Sequence, residues 1–373
     1  FPDQESQDRF DWKQSKAFIG EIEGFLAVLE DRLIEFKEVY FRGMTLTEEE
    51  MIELFYFKFT ETPLLNRMAA IKDYFIDSWE TLNGRNISDD DQETLQMKFD
   101  KMYKTKDIYA IYNWMLEDCG CNLLPDVPYE KRKLPYEDVF PMLYLKYRLS
   151  GGNSTHKNIK HLVIDEMQDY SYLQYTILEM LFHCRMTILG DRAQTLDTKQ
   201  QDVLRFLPKL LGREIRTIEI KKSYRNTLEI ARYAEKVSGV SDLELLDRHG
   251  KEVVEKTFNT DMELLDELVC HLKCPGDFET AALITTTEEE AFDLSRLLQL
   301  RGINVSYVDR NSSAFKKGLT VTTFYLAKGL EFDQVFALRG AKENPLKNQA
   351  EYICATRALH ELYIYEITDS LSK

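Results

Sequence analysis

The chain has 373 residues, which is long enough for two or three domains with their own hydrophobic cores. Hydrophobic residues make up 44% and charged residues 30%, and no apolar run is long enough to cross a membrane. The net charge of −16 excludes a protein whose whole surface binds nucleic acid, so such binding needs a local groove, or the main partner is a protein. Six cysteines in a chain of this length do not suggest a disulfide framework, which favours a cytoplasmic location.

Residues 1–150 are predicted to be helical and show no pattern that suggests chemistry. Residues 15–33 have apolar side chains at helical spacing, and Thr47 precedes three glutamates as the N-cap of a capping box does. Pro63 is predicted to begin a helix over residues 64–82. Further helices are predicted over residues 89–103, 108–117 and 141–149. Four prolines over residues 125–141 predict an irregular loop.

From residue 151 onward, short apolar strands alternate with helical stretches, which predicts an α/β fold with parallel sheets. In the first part, strands are predicted over residues 161–164, 186–189 and 215–220. The alternation restarts after residue 226, with strands predicted over residues 281–285, 303–308, 319–323, 334–338 and 362–367. Helices are predicted between them, over residues 172–182, 203–211, 228–237 and 288–300.

Two carboxylates follow the first of these strands directly. Asp165 and Glu166 stand where a buried strand of an α/β sheet ends, and such strand ends are where these folds bind ligands. An Asp there can hold Mg²⁺, and an adjacent Glu can polarise the water that attacks the γ-phosphate of ATP. The pair therefore predicts an ATP and Mg²⁺ site of the Walker B kind, and Gln168 and Asp169 strengthen the pattern.

Five segments in the second half follow one another in the order of a known set of motifs. They are IDEMQD, ILGDRAQ, KKSYRNT, TTFYLAKGLEF and EYICATRA. They resemble motifs II to VI of the UvrD-like superfamily 1 helicases, the group of UvrD, Rep and PcrA. Five motifs in order leave chance resemblance very improbable, and the likeness covers roughly 210 residues.

The resemblance implies RecA-like sheets of the P-loop NTPase class, one incomplete and one complete, with an amino-terminal all-helical insertion. Residues 1–150 would be the insertion into the first RecA-like domain. Residues 151–213 would be the remainder of that domain, with motifs II and III. Residues 214–373 would form the second RecA-like domain, with motifs IV, V and VI.

The resemblance also assigns catalytic roles. Asp165 would bind Mg²⁺ and Glu166 would be the general base. Gln194 of motif III would sense the γ-phosphate, and Arg225 of motif IV would pair with it. Arg357 resembles the arginine finger of motif VI, whose planar guanidinium suits the charge spread over phosphoryl oxygens.

Binding roles follow in the same way. Tyr224 would offer a flat face to adenine, as the motif IV tyrosine does, and Gly329 and Glu331 would lie near the nucleotide ribose. Thr323 and Tyr325 fall where motif V touches the nucleic-acid backbone. The implied substrates are ATP with Mg²⁺ and DNA, either single-stranded or as a duplex with a 3′ tail.

Within the family, the chain most resembles the HelD-like branch of helicase-like ATPases that associate with RNA polymerase. Tyr325 stands where UvrD and Rep carry His, and the stretch between Tyr224 and Thr323 is too short for the large insertion of UvrD. The amino-terminal segments DWKQSKAF and FYFKFTETPLLNRM resemble the helical insertion of that branch. The resemblance implies core RNA polymerase as a partner.

Two departures from the family pattern matter. No G-x-x-x-x-G-K-[ST] sequence occurs in the 373 residues, so the loop that cradles the β- and γ-phosphates is expected upstream. The chain is then expected to be the carboxyl-terminal half of such a protein, inactive by itself. Thr195, followed by Leu and Asp, stands where UvrD-type proteins place a base-stacking aromatic residue.

Two alternatives to a nucleic-acid motor stay open. One is a polymerase-binding remodelling factor with little unwinding activity, which the acidic charge, the amino-terminal insertion and the missing aromatic residue favour. The other is a metal-dependent nuclease that uses Asp165, Glu166 and Asp169, because paired carboxylates can hold two metal ions. The nuclease hypothesis gives no role to Gln194 or Arg357.

Overall fold

The computed structural model describes residues 4–152, 156, 158–195, 203–212, 215–239, 244–273, 278–312, 317–340 and 346–367. The chain divides into two compact units. The first comprises the described parts of Phe1–Ile164, Tyr170–Ile188 and Val203–Arg213. The second comprises those of Asp165–Asp169, Leu189–Asp202 and Glu214–Lys373. In the described ranges, no helix has both the length and the apolar character needed to cross a membrane.

The first unit is mainly helical. Its α-helices are α1 (Gln4–Lys13), α2 (Lys16–Leu33), α3 (Glu48–Glu53), α4 (Arg67–Asn83), α5 (Asp89–Asp100), α6 (Ile108–Asp118), α7 (Tyr136–Ser150), α8 (Tyr172–Leu181) and α9 (Val203–Leu210). A π-helical turn, Leu54–Lys58, extends α3, and the 3₁₀ turn Leu64–Asn66 leads into α4. Its strands are β1 (Val39–Phe41), β2 (Met44–Leu46), β3 (His161–Ile164) and β4 (Arg185–Ile188).

Local sequence explains where most of these helices begin. Ser15 caps α2 by accepting a hydrogen bond from the Phe18 amide. Thr47 and Glu50 form the predicted capping box at α3, which satisfies two backbone amides that the first helical turn leaves free. The predicted helices over this half are confirmed. The antiparallel hairpin of β1 and β2 was not predicted from the sequence.

The helix α7 begins earlier than predicted, at Tyr136 instead of Pro141. Pro141 lies inside the helix, where it cannot donate the usual hydrogen bond to the carbonyl four residues earlier. That carbonyl belongs to Glu137, and the Gln14 side chain donates to it at 3.3 Å. The helix therefore tolerates the proline because another element satisfies the freed acceptor.

One large apolar core holds the helices of the first unit together, and β3 and β4 stand beside a smaller one. The large core includes Phe18, Leu29, Phe55, Phe75, Trp79, Phe99, Tyr112 and Leu145, all nearly fully buried. The strands β3 and β4 pair in parallel, His161 opposite Arg185 and Ile164 opposite Ile188. Tyr175 of α8 and Leu207 of α9 pack beside Ile164 in the smaller core.

The second unit contains strands β5 (Lys222–Ser223), β6 (Glu244–Leu245), β7 (Val254–Phe258), β8 (Thr280–Thr285), β9 (Ser306–Tyr307), β10 (Gly318–Thr323), β11 (Phe332–Arg339) and β12 (Ala358–Ile367). Its helices are α10 (Leu228–Ser238), α11 (Asp261–Leu272), α12 (Glu288–Leu300) and α13 (Lys347–Arg357). The 3₁₀ turns Met167–Asp169 and Arg192–Gln194 belong to the same unit.

Six of these strands form a sheet in the order β7-β12-β11-β8-β10-β9, and every pairing in it is parallel. Its central strands are almost continuously apolar because helices cover both faces, as in other parallel sheets. The core on one face includes Ile353, Val335 and Ile364, and the core on the other includes Leu268, Leu298 and Phe336. The predicted α/β class with parallel sheets is confirmed.

One strand prediction is wrong, and one strand of the six-stranded sheet was missed. Residues 215–220 form no strand, and Ile218 and Ile220 are largely exposed, although their alternating pattern is typical of a strand. A strand also needs a neighbour to pair with, and none of the described strands lies against this segment. Conversely, β7 was not predicted, since this edge strand exposes most of its side chains and carries little apolar pattern.

Candidate functional site

The acidic turn after β3 has an unusual backbone. Glu166 has a φ of +53°, a left-handed conformation that residues other than glycine rarely adopt. Its amide donates to the Asp165 side chain at 2.8 Å, and the Met167 amide donates to the Leu189 carbonyl at 2.8 Å. These contacts fix the direction of the Glu166 side chain. Such conformations cost free energy and cluster at functional sites.

Gly190 allows the motif II and motif III segments to approach each other. A Cβ atom at this position would lie 2.7 Å from the Met167 amide nitrogen and 2.5 Å from the Gln168 side-chain oxygen. Both distances are too short for any side chain without movement of the neighbouring backbone. The glycine in ILGDRAQ is therefore required by the close packing of the two turns.

Gln168 connects the predicted general base to motif III. Its side-chain nitrogen donates to Glu166 Oε2 at 2.6 Å, and its side-chain oxygen accepts from the Asp191 amide at 3.1 Å. Because the Gln168 side chain is buried and both ends of its amide are used, it can adopt one orientation only. Gln168 thus holds the Glu166 carboxylate relative to motif III.

Asp191 continues the connection to motif VI. Its carboxylate accepts from Gln194 Nε2 at 3.0 Å and from the Tyr352 hydroxyl at 2.8 Å. Gln194 in turn accepts a hydrogen bond from Arg357 Nη2 at 3.2 Å. A continuous path of hydrogen bonds therefore runs from Glu166 to Arg357 and joins segments that are far apart in the sequence.

Arg357 is buried, with 2% of its surface exposed. Burial lowers the pKa of its guanidinium, and the nearby positive charge of Arg225 lowers it further, while Glu166 and Glu331 act in the opposite direction. Its Nη1 donates to the Leu330 carbonyl at 3.2 Å. Its Nε is buried and has no acceptor in the described part of the chain, so one donor of this guanidinium is left unsatisfied.

Lys328 is a buried cation that sequence analysis did not select. Its ammonium group pairs with Asp169, donates to the Gln194 carbonyl at 3.1 Å and lies 3.8 Å from Glu166 Oε2. Burial raises the pKa of Asp169, and the ion pair with Lys328 opposes that rise. Lys328 therefore brings motif V to the carboxylates of motif II.

Five of the predicted nucleotide-binding residues lie outside this path, and four of them have side chains. Asp165 is exposed, and Tyr224 is 64% exposed with the Lys222 ammonium near its ring. Arg225 forms an ion pair with Glu331, Nε to Oε1 at 2.8 Å, in which both side chains are partly exposed. These surfaces are open to a ligand.

Gly329 is the one predicted nucleotide-binding position without a side chain. It has a φ of +82°, a left-handed conformation that glycine adopts without strain. A Cβ atom there would meet nothing within 4 Å, so the backbone conformation and not close packing favours glycine.

The two predicted nucleic-acid contacts differ in accessibility. Thr323 ends β10 and is fully buried, so its side chain offers no surface to a ligand in this structure. Tyr325 is partly buried, and its hydroxyl donates to Glu288 Oε1 at 3.0 Å. The same carboxylate oxygen pairs with Arg310. The roles of Thr323 and Tyr325 remain predictions.

Asp165 fits Mg²⁺ as one ligand, since it is an exposed carboxylate and Mg²⁺ in nucleotide sites takes one or two carboxylates together with phosphate oxygens. The described ranges contain no group of three or more His, Cys, Asp or Glu side chains that could hold a metal ion. Asp169 is paired with Lys328. The assignment of Mg²⁺ to Asp165 stays a prediction.

Sequence reasoning missed Lys328, Asp191 and Tyr352 as members of the site. All three lie within the segments that carry the motifs, but their partners are distant in sequence: Lys328 is 159 residues from Asp169, and Tyr352 is 161 residues from Asp191. The available signal was a lysine directly before the Gly-Leu-Glu of motif V, in a largely apolar stretch.

A family model for the UvrD/REP helicase N-terminal domain matches residues 27–196. One similar solved structure is the C-terminal domain of a possible DNA helicase from Lactobacillus plantarum WCFS1, at 25% identity and a TM-score of 0.33, covering 39% of this chain and 88% of that one. Another is the PRRSV helicase, at 16% identity and a TM-score of 0.34, covering 70% of this chain and only 46% of that one. No curated protein matches significantly. The family match covers part of the chain, and its UvrD-like family is the one that the ordered motifs of the second half resemble.

Proposed function

We propose that the chain carries motifs II to VI of an ATP-dependent nucleic-acid motor of the UvrD/HelD type. The observation that carries the proposal is the path of hydrogen bonds from Glu166 through Gln168, Asp191 and Gln194 to Arg357. It joins Glu166, the candidate base, to Arg357, the candidate arginine finger, through Gln194, the side chain predicted to sense the γ-phosphate. Two of the linking side chains, Gln168 and Gln194, are buried, which distinguishes the path from an ion pair on the protein surface.

Each end of the path has a chemical role. Glu166 would take the proton from the attacking water, because Gln168 and the backbone hold its carboxylate in one place. Arg357 would stabilise charge on the transferring phosphoryl group with the unsatisfied donor at its Nε, once a rearrangement opens this buried atom to the phosphate. Mg²⁺, held by Asp165, would supply charge neutralisation to the phosphates when it is bound.

The nucleotide-binding roles rest on open surfaces. Tyr224 would stack on adenine with its exposed ring, and Arg225 would exchange its ion pair with Glu331 for the γ-phosphate. Such an exchange is inexpensive, because an exposed ion pair contributes little free energy. Gly329 and Glu331 would then lie near the ribose.

We assign residues 1–150 to a helical insertion of the first RecA-like domain, residues 151–213 to its remainder and residues 214–373 to the second RecA-like domain. This division follows the motifs and differs from the compact units, in which the described residues 165–169 and 189–195 group with the second unit. The family match supports the first two assignments, because residues 27–196 include most of the helices together with motifs II and III. The parallel six-stranded sheet supports the third.

Single-stranded or 3′-tailed DNA is the proposed nucleic-acid partner, and core RNA polymerase is the proposed protein partner. A remodelling factor with little unwinding activity is the second candidate function. It is favoured by the net charge of −16 and by the Tyr325 hydroxyl, which is bound to a carboxylate and not free for a phosphate. Polymerase capture and duplex unwinding distinguish the two: capture without unwinding supports remodelling, and unwinding without capture supports a plain helicase.

The general-base assignment is tested by ATP turnover in any longer polypeptide that contains these residues together with a P-loop. Glu166→Gln is expected to reduce turnover by about 100- to 10,000-fold, because the amide cannot accept the proton. Glu179→Gln on α8 is the matched control, since Glu179 is exposed and the same charge is lost. Unchanged turnover in Glu166→Gln would overturn the assignment.

Residues 1–373 alone are expected neither to hydrolyse ATP nor to bind it tightly. Arg225 and Arg357 can supply charge, but the sequence contains no P-loop to fix the β-phosphate between them. Calorimetric titration with a non-hydrolysable ATP analogue measures this directly. Micromolar binding that Tyr224→Ala abolishes would show that this chain carries the nucleotide site by itself.

A further inference from the structure

A compact polar cluster surrounds Tyr325 in the second unit. The Tyr325 hydroxyl and Arg310 Nε both bind Glu288 Oε1, at 3.0 and 2.5 Å. The hydrogen bond from Arg310 is the main cause that lowers the pKa of Glu288, and the bond from Tyr325 lowers it further. Glu288 is therefore an anion at neutral pH, and it occupies the polar group of the tyrosine.

Several carboxylates of the chain itself lie at the start of α12. Thr287 caps the helix, and Glu290 Oε2 accepts from the amides of Thr286 and Thr287 at 3.1 and 3.0 Å. Glu288 and Glu289 add two further negative charges in the same turn. Amides at a helix start can bind a phosphate, but here the amides of Thr286, Thr287 and Glu290 already bind side chains of the chain.

The surroundings of the cluster are otherwise suited to a nucleic-acid strand. Tyr307 packs edge-on against Phe292, with ring centroids 5.7 Å apart, and Phe292 is 47% exposed. The Arg296 guanidinium lies 5.8 Å from the Phe292 ring, and the Arg310 side chain is largely exposed. Exposed aromatic rings with adjacent arginines are the usual means of binding single strands without sequence preference.

We propose that Glu288 limits the affinity of this surface for nucleic acid, because its carboxylate opposes a nucleic-acid backbone at Tyr325. Its carboxylate repels a phosphodiester, keeps the Tyr325 hydroxyl as a donor to itself and neutralises Arg310. The surface then binds single strands weakly until the Glu288 contact is broken. The inference rests on the proposed function, because it takes Tyr325 as part of a nucleic-acid face.

The size of the expected change in affinity follows from the charge of Glu288 alone. A unit charge at hydrogen-bond range from a phosphate, in the high dielectric near a surface, changes affinity by about threefold to tenfold. Salt screens such an interaction when the charges are exposed. Removal of the Glu288 charge should therefore tighten binding by about threefold to tenfold at low ionic strength and by less at high ionic strength.

Fluorescence anisotropy with a labelled oligothymidylate tests the proposal on residues 1–373. Glu288→Gln is expected to bind about threefold to tenfold more tightly than the wild type. Glu289→Gln is the matched control, because it removes the same charge from an exposed neighbour in the same helical turn. It is expected to change affinity by less than twofold. Circular dichroism and thermal unfolding check that each variant is folded.

A second substitution tests whether the gain in affinity comes from the release of the Arg310 guanidinium or from the loss of a negative charge in general. Arg310→Gln, added to Glu288→Gln, should remove most of the gain, because the freed guanidinium would be the new phosphate contact. In the wild-type background, Arg310→Gln should have a smaller effect, since Arg310 is already neutralised by Glu288.

The outcomes distinguish this inference from the function on which it rests. An equal gain in Glu289→Gln, or wild-type binding that Glu288→Gln does not tighten, would overturn the role of Glu288 and leave the nucleic-acid face intact. Absence of binding by the wild type and by every variant at low salt would overturn both.

Discussion

Each unit contains a buried lysine paired with an aspartate, and the two pairs differ in what surrounds the carboxylate. In the first unit, the side chains of Lys13 and Asp138 are 7% and 3% exposed, and the Tyr112 hydroxyl donates to the same carboxylate at 2.6 Å. In the second unit, the Lys328 side chain is equally buried, but that of Asp169 is 38% exposed. One pair is closed on all sides, and the other opens to solvent.

The difference separates a structural role from a functional one. A closed pair has no way to exchange partners, so it completes the core of helices α1, α6 and α7. An open pair can exchange its partner for water or a ligand without leaving a buried charge uncompensated. The open pair lies beside Glu166, where the proposed chemistry requires charged side chains that can exchange their partners for a ligand.

The largest effect is expected from Lys13→Met. It leaves Asp138 buried with only the tyrosine hydroxyl as a donor, and an uncompensated buried charge costs about 3–5 kcal/mol. Trp12, Trp79 and Trp114 are the only tryptophans in the sequence, and all three belong to the first unit, so their fluorescence during urea unfolding reports on that unit.

Lys16→Met is the control for this measurement. Lys16 is exposed three residues away, and its replacement should change the free energy of unfolding by less than about 0.5 kcal/mol. A loss in Lys13→Met no greater than in Lys16→Met would contradict the structural role of the closed pair.

The next effect concerns Gly190 in the second unit. Gly190→Ala places a methyl group 2.7 Å from the Met167 amide, so the turns of motifs II and III must separate, at a cost of about 1–3 kcal/mol. Faster amide hydrogen exchange in residues 165–169 and 189–195 would report the separation. Gly24→Ala in the exposed middle of α2, where nothing lies within 4 Å, should instead stabilise by about 0.5–1 kcal/mol. Unchanged exchange in Gly190→Ala would refute the close approach.

A smaller effect on stability is expected from Lys328→Met. Asp169 is partly exposed and can be hydrated when its partner is removed, so the cost should be about 1 kcal/mol, well below that of Lys13→Met. Amide hydrogen exchange in the second unit, measured as a function of temperature, gives this stability cost. A loss as large as that of Lys13→Met would show that the open pair is structural after all.

Local patterns in the sequence predicted much of the fold. The capping box at Thr47, the apolar central strands β8, β10, β11 and β12, and most helices follow from short stretches of chain. Two of the strand errors have one physical origin, which is pairing between distant segments. Residues 215–220 have a strand pattern without a described partner strand, and β7 has a partner strand without the pattern.

The site shows the same division between local and distant information. The motifs identified Glu166, Gln194 and Arg357, which the structure connects through hydrogen bonds. Their connecting residues, Gln168 and Asp191, acquire their role only from contacts across the fold. Lys328 could not be selected from charge pattern alone, because surface lysines are common and its burial is a property of the tertiary structure.

The smallest effect concerns an open ionic cluster on the second unit, and it depends on pH. His249 lies between two carboxylates: its Nδ1 is 2.8 Å from Glu229, and its Nε2 is 2.9 Å from Asp247. The hydrogen bond to Glu229 is the main cause that raises the pKa of His249 above 6.5. The same bond is the main cause that lowers the pKa of Glu229 from 4.5 to about 2.

The histidine therefore contributes stability that is fully present below pH 6.5 and is lost as the pH rises through its raised pKa. The glutamate contributes stability that is present above pH 4.5 and is lost as the pH falls toward 2. In thermal unfolding scans from about pH 5.5 to about pH 9, the wild type should lose more stability than His249→Gln, because the variant has no imidazole to titrate. Parallel curves for the two proteins would show that the open cluster does not stabilise the fold, whereas an opposite slope would show that the neutral imidazole is the form that the fold prefers.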